Sequence, residues 1–327
     1  MQIEKLLELT AGTLNETSTI ESIYSATVHL AKVGDGSLFI SDSQENIGEA
    51  IAKGAKAILY SDASIMIDDE SLAWIKVEDI MIAAFKITQD VVSDDEALFY
   101  YFNEHELAFL KMLQKRKSDI EFLSNDWKKT FECVLNSKKK FFISTDLEMM
   151  KKLRPKAKKL IKEVDGYVIS DTLFRSTFKI EKYVYQYKEM VPFHLEHVLK
   201  VIHFCRTHGF EYAIENIKYI NKFTPLFIEG EPSLNEETKN DRTVIVCDNK
   251  EDIVEARMYV LAPSNWVVKS IVLTPPKHKV DGVKRPLYYT THEEALDIIK
   301  GANFNYAFIY AEDKSIKDAI RKEFELY

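Results

Sequence analysis

Glycine is scarce in this chain. Ten occur in 327 residues, less than half the usual share of about 7%, and none falls between Gly54 and Gly166. A loop that cradles phosphate needs glycine, because its backbone must take φ > 0 and approach the ligand with no Cβ in the way. The gap therefore argues against a working glycine-rich phosphate loop within it. Cysteine is also sparse. Cys133, Cys205 and Cys247 lie far apart, form no Cys-x-x-Cys metal or redox motif, and suit a reducing compartment as small buried hydrophobes. No apolar run approaches the ~20 residues of a membrane span. Met1-Gln2-Ile3-Glu4-Lys5 has neither the basic nor the apolar region of a secretory signal. The expectation is a cytoplasmic globular protein, with 46% hydrophobic residues to fill the cores of two or three domains.

Charge is plentiful but uneven. The net charge is −8, yet between Lys128 and Lys162 twelve Lys or Arg stand against only Glu132, Asp146 and Glu148. Such a stretch either attracts a phosphate-bearing ligand or forms the solvated face of one or two helices. No Arg-Gly or aromatic-interleaved motif accompanies it, which speaks against nucleic acid. Asp68-Asp69-Glu70 and Asp94-Asp95-Glu96 read as helix caps in preference to cation chelators. His194, His197 and His203 fall on or near one expected helix, the first two sharing a face at i, i+3. Without a His-Glu-x-x-His pattern or a visible third ligand they read as surface or capping histidines, and no metal site is expected.

The pattern along the chain is α/β. Gly34-Asp35-Gly36-Ser37 reads as a turn, Leu38 to Ser41 as a strand, Ile47 to Lys53 as a helix stopped by Gly54, and Ala57 to Tyr60 as a second strand. This implies a right-handed parallel crossover. Trp74 to Val77 is a further strand. Ser93 to Glu96 then caps or links to a helix expected from about Ala97 to Lys115. Phe141 to Ser144 and Tyr167 to Ser170 read as buried strands, Lys179 to Tyr187 as an exposed one, and His194 to Thr207 as a helix ended by His208-Gly209. A second helix is expected over Tyr212 to Ile220, and Glu229 to Asp241 is polar enough to be a linker. Beyond it come strand Thr243–Val246, helix Lys250–Leu261, strand Val267–Leu273, helix Glu293–Ile299, strand Tyr306–Tyr310 and helix Ser315–Phe324. That alternation predicts a Rossmann-like, mostly parallel sheet.

Three α/β segments in this order, with the run Val33 to Ile40, the run Ala50 to Ala57, the helix Phe193 to Gly209 and the segment Arg242 to Leu261, resemble the Mur ligases of peptidoglycan synthesis. Val33 to Ile40 is similar to the family's turn and strand, and Ala50 to Ala57 to its Ala-Ile-x-x-Gly-Ala run. The resemblance spans the chain and rests on order and spacing. It implies three domains: a small N-terminal α/β domain over 1–95, a reduced central α/β domain over 96–236 and a C-terminal Rossmann-like domain over 237–327. It also implies that the turn at Gly34, Gly36 and Ser37 lies where the family meets its uridine nucleotide sugar, a turn whose amides can receive a diphosphate. The Asp-Ser-Arg motif that should precede that turn is represented only by Tyr24-Ser25-Ala26-Thr27.

Departures from the family are concentrated where ATP would bind. The family's Thr-Gly-(Ser/Thr)-x-Gly-Lys-(Ser/Thr)-(Ser/Thr) corresponds to Leu123-Ser124-Asn125-Asp126-Trp127-Lys128-Lys129-Thr130, unless this stretch is an ordinary helix start unrelated to a phosphate loop. In that register Lys128 holds the place of the phosphate-binding lysine. Lys129 replaces the hydroxyl that reaches Mg²⁺, Thr130 is one place out of register, and Ser124 and Trp127 replace both glycines. Family members are also longer, and the shortfall lies mainly between Phe142 and Met190, which should supply a metal-binding Glu and further cations. In the last segment Cys247 to Asp252 stands in place of Asp-x-Tyr-Asn-Ala-Asn-Pro, and Tyr310-Ala311-Glu312-Asp313 in place of Lys-Gly-Ser-Arg. Ligation needs a carboxylate phosphorylated by ATP and attacked by an amine while cations hold the phosphoryl group. Few of those cations remain here. The expectation is a shortened Mur-ligase-like pseudoenzyme with no cofactor, serving as partner or scaffold to cytosolic cell-wall enzymes. Two alternatives stand beside it. One is a divergent ATP-dependent acid–amino acid ligase using Mg-ATP at Lys128, Lys129 and Thr130. The other is a sensor of an anion or nucleotide sugar.

Overall fold

The computed structural model describes residues 1–67, 69–92, 97–116, 119–229, 242–261, 268–313 and 315–324. The chain forms two compact units that interleave in sequence, 1–103 with 117–160, and 104–116 with 161–327.

The first unit holds two sheets. One runs Thr13–Leu14, Ala73–Lys76, Ala55–Tyr60, Ser37–Ile40, Ser25–Thr27 across its width. Every pair is parallel except the Thr13–Leu14 edge. The strand sequences explain this, since Leu38-Phe39-Ile40 and Ala57-Ile58-Leu59-Tyr60 are continuous apolar runs suited to burial on both faces, and every residue of Ser37–Ile40 is buried. The helix Ile47–Ala52 makes the crossover, and Gly54 ends it at φ +102°, as the sequence implied. The other sheet is wholly parallel, in the order Ile120–Phe122, Phe141–Ser144, Leu98–Tyr101, Lys158–Lys159. The helix Ile80–Val91, capped by Asp79, contributes Phe85 and Ile87 to one core with Leu59 and Ile75 of the first sheet and Phe99 and Phe142 of the second.

The helix expected from Ala97 to Lys115 is instead a strand, Leu98–Tyr101, followed by a shorter helix, Glu104–Leu113. Leu98-Phe99-Tyr100-Tyr101 is an aromatic run that favours extended backbone. Hydrogen bonds from Leu98 N to Lys140 O (2.7 Å) and from Phe102 N to Ser144 O (3.0 Å) fix it beside Phe141–Ser144. Ser93 to Glu96, read as its cap, lie outside the described residues.

The second unit contains an antiparallel meander, Gly166–Asp171, Ser176–Ile180, Tyr183–Lys188. Two expectations change here. Tyr167 to Ser170 is an edge strand with Tyr167 and Ile169 largely exposed rather than buried. The single strand expected from Lys179 to Tyr187 is a hairpin, turned at Glu181 with φ +53°. The helix Leu195–Thr207 packs on this meander and on Glu104–Leu113, and stops at Gly209, φ +70°. Tyr212 to Ile220 is not a helix but a single 3-10 turn, Ile214–Asn216. Its backbone is engaged elsewhere, with Ala213 N donating to Leu113 O (2.8 Å) and Tyr212 bridged to Gln114.

The C-terminal sheet contains the expected alternation and adds two strands that were not expected, Phe223–Glu229 and Leu287–Tyr288. Its order is Phe223–Glu229, Arg242–Cys247, Tyr306–Tyr310, Ser270–Thr274, Leu287–Tyr288, parallel except for the first strand. Helices His292–Gly301 and Ser315–Glu323 cover one face, where Ala295, Ile299, Ile316 and Ile320 meet Val244, Val246, Ala307 and Ile309. Strand alternation sends Ile245, Cys247, Phe308 and Tyr310 to the opposite face, and helix Lys250–Leu261 packs on those two strands. No helix among the described residues is long and apolar enough to cross a membrane.

Candidate functional site

The Gly34–Ser37 turn is held by its own atoms. Ser37 is fully buried, its Oγ donating to Gly34 O (2.7 Å), receiving Gly34 N (2.9 Å) and lying 3.0 Å from Ser25 Oγ. Gly36 N donates to Gly54 O (2.9 Å). A Cβ on Gly36, at φ +76°, would stand 2.3 Å from the Tyr24 ring. The amides of Gly34 and Gly36 are thus both engaged, one inside the turn and one on Gly54, and the positive φ at Gly36 favours glycine there.

The Ser124–Thr130 stretch enters the helix Trp127–Asn136. Asp126 is its N-cap, the carboxylate accepting from Lys128 N (2.9 Å) and Lys129 N (3.4 Å). Trp127 packs against the apolar core of its unit. Lys128 Nζ pairs with Asp42 at 2.7 Å. Thr130 is buried and its hydroxyl donates to Ser124 O (2.7 Å). One turn further on, Glu132 is buried. Its carboxylate accepts from Thr27 Oγ1, Val28 N (2.8 Å), Lys32 Nζ (2.7 Å) and Asn136 Nδ2 (3.2 Å). Burial opposes its ionisation, but the bonds from Lys32, Thr27 and Val28 outweigh that and hold the carboxyl below its ordinary value.

In the second unit the C-terminal sheet builds a crevice. Strands Arg242–Cys247 and Tyr306–Tyr310 are neighbours whose following helices leave to opposite faces, and an open α/β sheet binds ligands at such a switch point, beyond the carboxyl ends of its strands. A cleft of about 220 Å³ lies there, lined by Glu104, Lys222, Asp248, Lys250, Glu251 and Tyr310 among others. It is smaller than the ~300–1,000 Å³ of ordinary ligand pockets. Lys222 Nζ pairs with Asp248 (2.8 Å) and Glu104 (3.2 Å). Burial disfavours its charge, but the two carboxylates hold it above its usual value. Tyr310 donates to Glu312 (2.9 Å), and burial together with that carboxylate pushes its hydroxyl up to about 12. Lys250 Nζ stands 5.2 Å over the Tyr310 ring.

Beneath the same helix start is a buried polar cluster that sequence reasoning missed. His105, second residue of Glu104–Leu113, places Nε2 2.7 Å from Asp252 Oδ2, and His194 Nε2 stands 3.5 Å from Asp252 Oδ1. One donor atom from each residue lies within 4.8 Å of the others. The His105 ring stacks on His197 at 5.0 Å. His194 is ringed by Phe109, Phe193 and Phe223, centroids 5.0–5.9 Å away. Burial drives its pKa down to about 4 against the pull of Asp252. Burial opposes the Asp252 ion, yet the two histidines hold that carboxyl at about 2. His194, expected at the surface or as a cap, is therefore an interior residue, 2% exposed, and it makes no side-chain cap bond to its helix. The sequence showed His194 and His197 on one face. It could not show that His105 and Asp252, 147 residues apart, meet them.

The fold is Mur-ligase-like, a mixed α/β architecture with mostly parallel sheets. The MurF ligase of Thermotoga maritima, solved in complex with ADP, superposes with a TM-score of 0.52 at 12% identity, covering 92% of this chain and 98% of that one. MurF of Acinetobacter baumannii superposes with a TM-score of 0.51 at 10% identity, covering 99% and 98%. At such identities the likeness is one of fold. No protein-family model and no curated protein matches the chain.

Proposed function

We propose that this chain is a Mur-ligase-fold pseudoenzyme that serves as partner or scaffold to the cytosolic enzymes making peptidoglycan precursors. The observation that carries the non-catalytic part is the occupied helix start at Trp127. A phosphate loop works by turning unpaired N–H groups and the positive end of a helix toward an anion. Here Asp126 fills that position with a carboxylate bonded to Lys128 N and Lys129 N. A phosphate would have to displace a cap worth about 1 kcal/mol and tolerate a like charge costing on the order of 1–4 kcal/mol at 4 Å. Lys128 is engaged with Asp42 and the Thr130 hydroxyl with Ser124, so neither stands ready for phosphate or Mg²⁺. The three-segment division at 1–95, 96–236 and 237–327 remains part of this reading. The compact units divide elsewhere, at 103/104, 116/117 and 160/161, and Phe223–Glu229 pairs forward with Arg242–Cys247. Calorimetric titration with Mg-ATP at physiological salt tests the proposal. Silence to several millimolar is expected. Micromolar binding that disappears in Lys128→Ala would overturn it.

One observation favours a second reading, a divergent ATP-dependent acid–amino acid ligase. The crevice bearing Lys222, Asp248 and Lys250 lies at the sheet's switch point, and its mixed charges suit a small zwitterion. ATP-dependent amide formation by the purified chain would establish that reading and end the first.

A further inference from the structure

We propose that His105, His194 and Asp252 form a binding site for one divalent transition-metal ion of the zinc class. Three elements remote in sequence converge on one point: the start of Glu104–Leu113, the end of the 3-10 turn Pro192–His194, and the first turn of Lys250–Leu261. Each side chain is at least nine-tenths buried. Two imidazoles and one carboxylate are the donors that borderline cations accept, whereas Mg²⁺ and Ca²⁺ demand oxygen-rich shells.

The geometry suits the ion. Bonds of about 2.0–2.1 Å in a tetrahedron place neighbouring donors roughly 3.3 Å apart. The His194–Asp252 separation of 3.5 Å already matches. That separation is to Oδ1, whereas His105 Nε2 lies 2.7 Å from Oδ2, so with one donor atom from each residue and all three within 4.8 Å of one another, binding requires side-chain rotations that open the short contact by about 0.6 Å and draw the donors to tetrahedral spacing. Independently, His194 Nε2 is buried and makes no hydrogen bond, its nearest carboxylate oxygen standing 3.5 Å away, an unfavourable state for a buried polar atom. It faces the Asp252 carboxylate, where a cation would give it a partner. The rings of Phe109, Phe193 and Phe223 make the surroundings of His194 apolar, so the attraction between cation and Asp252 is little screened. Three protein ligands leave a fourth position open, the arrangement of zinc sites that hold a water or an exchangeable ligand.

The test uses the full chain, stripped with a chelator and titrated with Zn²⁺ in competition with a chromophoric zinc indicator. A parallel titration with Co²⁺ is followed by visible absorption. One Zn²⁺ per chain, with intense Co²⁺ ligand-field bands of a four-coordinate site, is expected. His194→Gln and Asp252→Asn should weaken binding at least about 100-fold, beyond the 10–100-fold typical of residues that only orient ligands. His203→Gln, a more exposed histidine of the same helix, should leave binding unchanged. If either cluster variant fails to fold, the wild-type stoichiometry and Co²⁺ spectrum still decide. Absence of a stoichiometric site, six-coordinate Co²⁺ bands, or loss of binding only in His203→Gln would overturn the proposal and leave the cluster a hydrogen-bonded tie between three elements.

Discussion

Replacing Glu132 should unfold the first unit more readily than any surface change, because its carboxylate joins the helix Trp127–Asn136 to the chain around Thr27, 105 residues away. Glu132→Ala leaves Val28 N without its acceptor, Thr27 Oγ1 with only the longer bond to His29 O (3.3 Å), and Lys32 without its partner. Hydrogen bonds to a charged group contribute about 1.5–3 kcal/mol each, and breaking a buried charge pair costs about 3–5 kcal/mol. Lys32 is half exposed, so its share is discounted for screening, leaving roughly 3 kcal/mol. Glu132→Gln keeps one acceptor oxygen and should cost about half as much. Urea unfolding read by fluorescence in a Trp266→Phe background would isolate Trp74 and Trp127, both in the unit that contains Glu132. At about 2 kcal/mol per molar urea, the Glu132→Ala midpoint should fall by about 1.5 M. The sign with pH follows from a carboxyl held below its ordinary 4.5. The stabilisation is complete above that value and is lost as pH falls through the lower folded-state pKa. The gap between wild type and Glu132→Gln should therefore close in acid. Midpoints within about 0.2 M at pH 7, or a gap that widens on acidification, would refute this account.

Other expectations follow from single residues. Gly54→Ala places a Cβ 2.8 Å from Asp35 Cα at φ +102°, and backbone cannot swing aside. It should cost more than Gly36→Ala, whose Cβ meets the Tyr24 side chain, and thermal melting of the two variants ranks them directly. Asp126→Ala should lower stability by about 1 kcal/mol without creating Mg-ATP binding, since Trp127 still fills the loop; calorimetry with the variant checks both. Burial pushes the Cys133 thiol up to about 11 and Cys205 up to about 12, and also raises Cys247 well above its ordinary value. Ellman's reagent at pH 8 should thus label the native chain slowly and all three cysteines after denaturation.

The three central strands of the C-terminal sheet were legible as short apolar runs, whereas its flanking strands Phe223–Glu229 and Leu287–Tyr288 were not expected. Lys250–Leu261 has the predicted bounds, and Ser315–Glu323 differs by one residue. Local pattern failed where partners decide. Leu98-Phe99-Tyr100-Tyr101 was absorbed into a helix because Glu104 to Leu113 beside it is a good helix former, and only Phe141–Ser144 as neighbour distinguishes the two. Tyr212 to Ile220 has helical spacing, yet its backbone bonds to the end of another helix. Of the buried cluster only His194 was singled out in the sequence, as a surface or capping histidine alongside His197. Its remaining members come from separate elements, and no spacing rule joins residues that tertiary packing alone brings together.

The interleaving of the two units sets a delay during synthesis. The segment 104–116 belongs to the second unit, and Phe109, Leu110 and Leu113 are wholly buried in the finished protein. The helix Leu195–Thr207 against which it packs emerges from the ribosome some ninety residues later, a wait of about 5–20 s at ordinary elongation rates. Throughout that interval an apolar stripe has no cover, so the nascent chain should be a client for chaperones at this one segment. For the same reason a cut after residue 160 cannot release two self-sufficient halves, since the downstream half would lack the helix that carries His105.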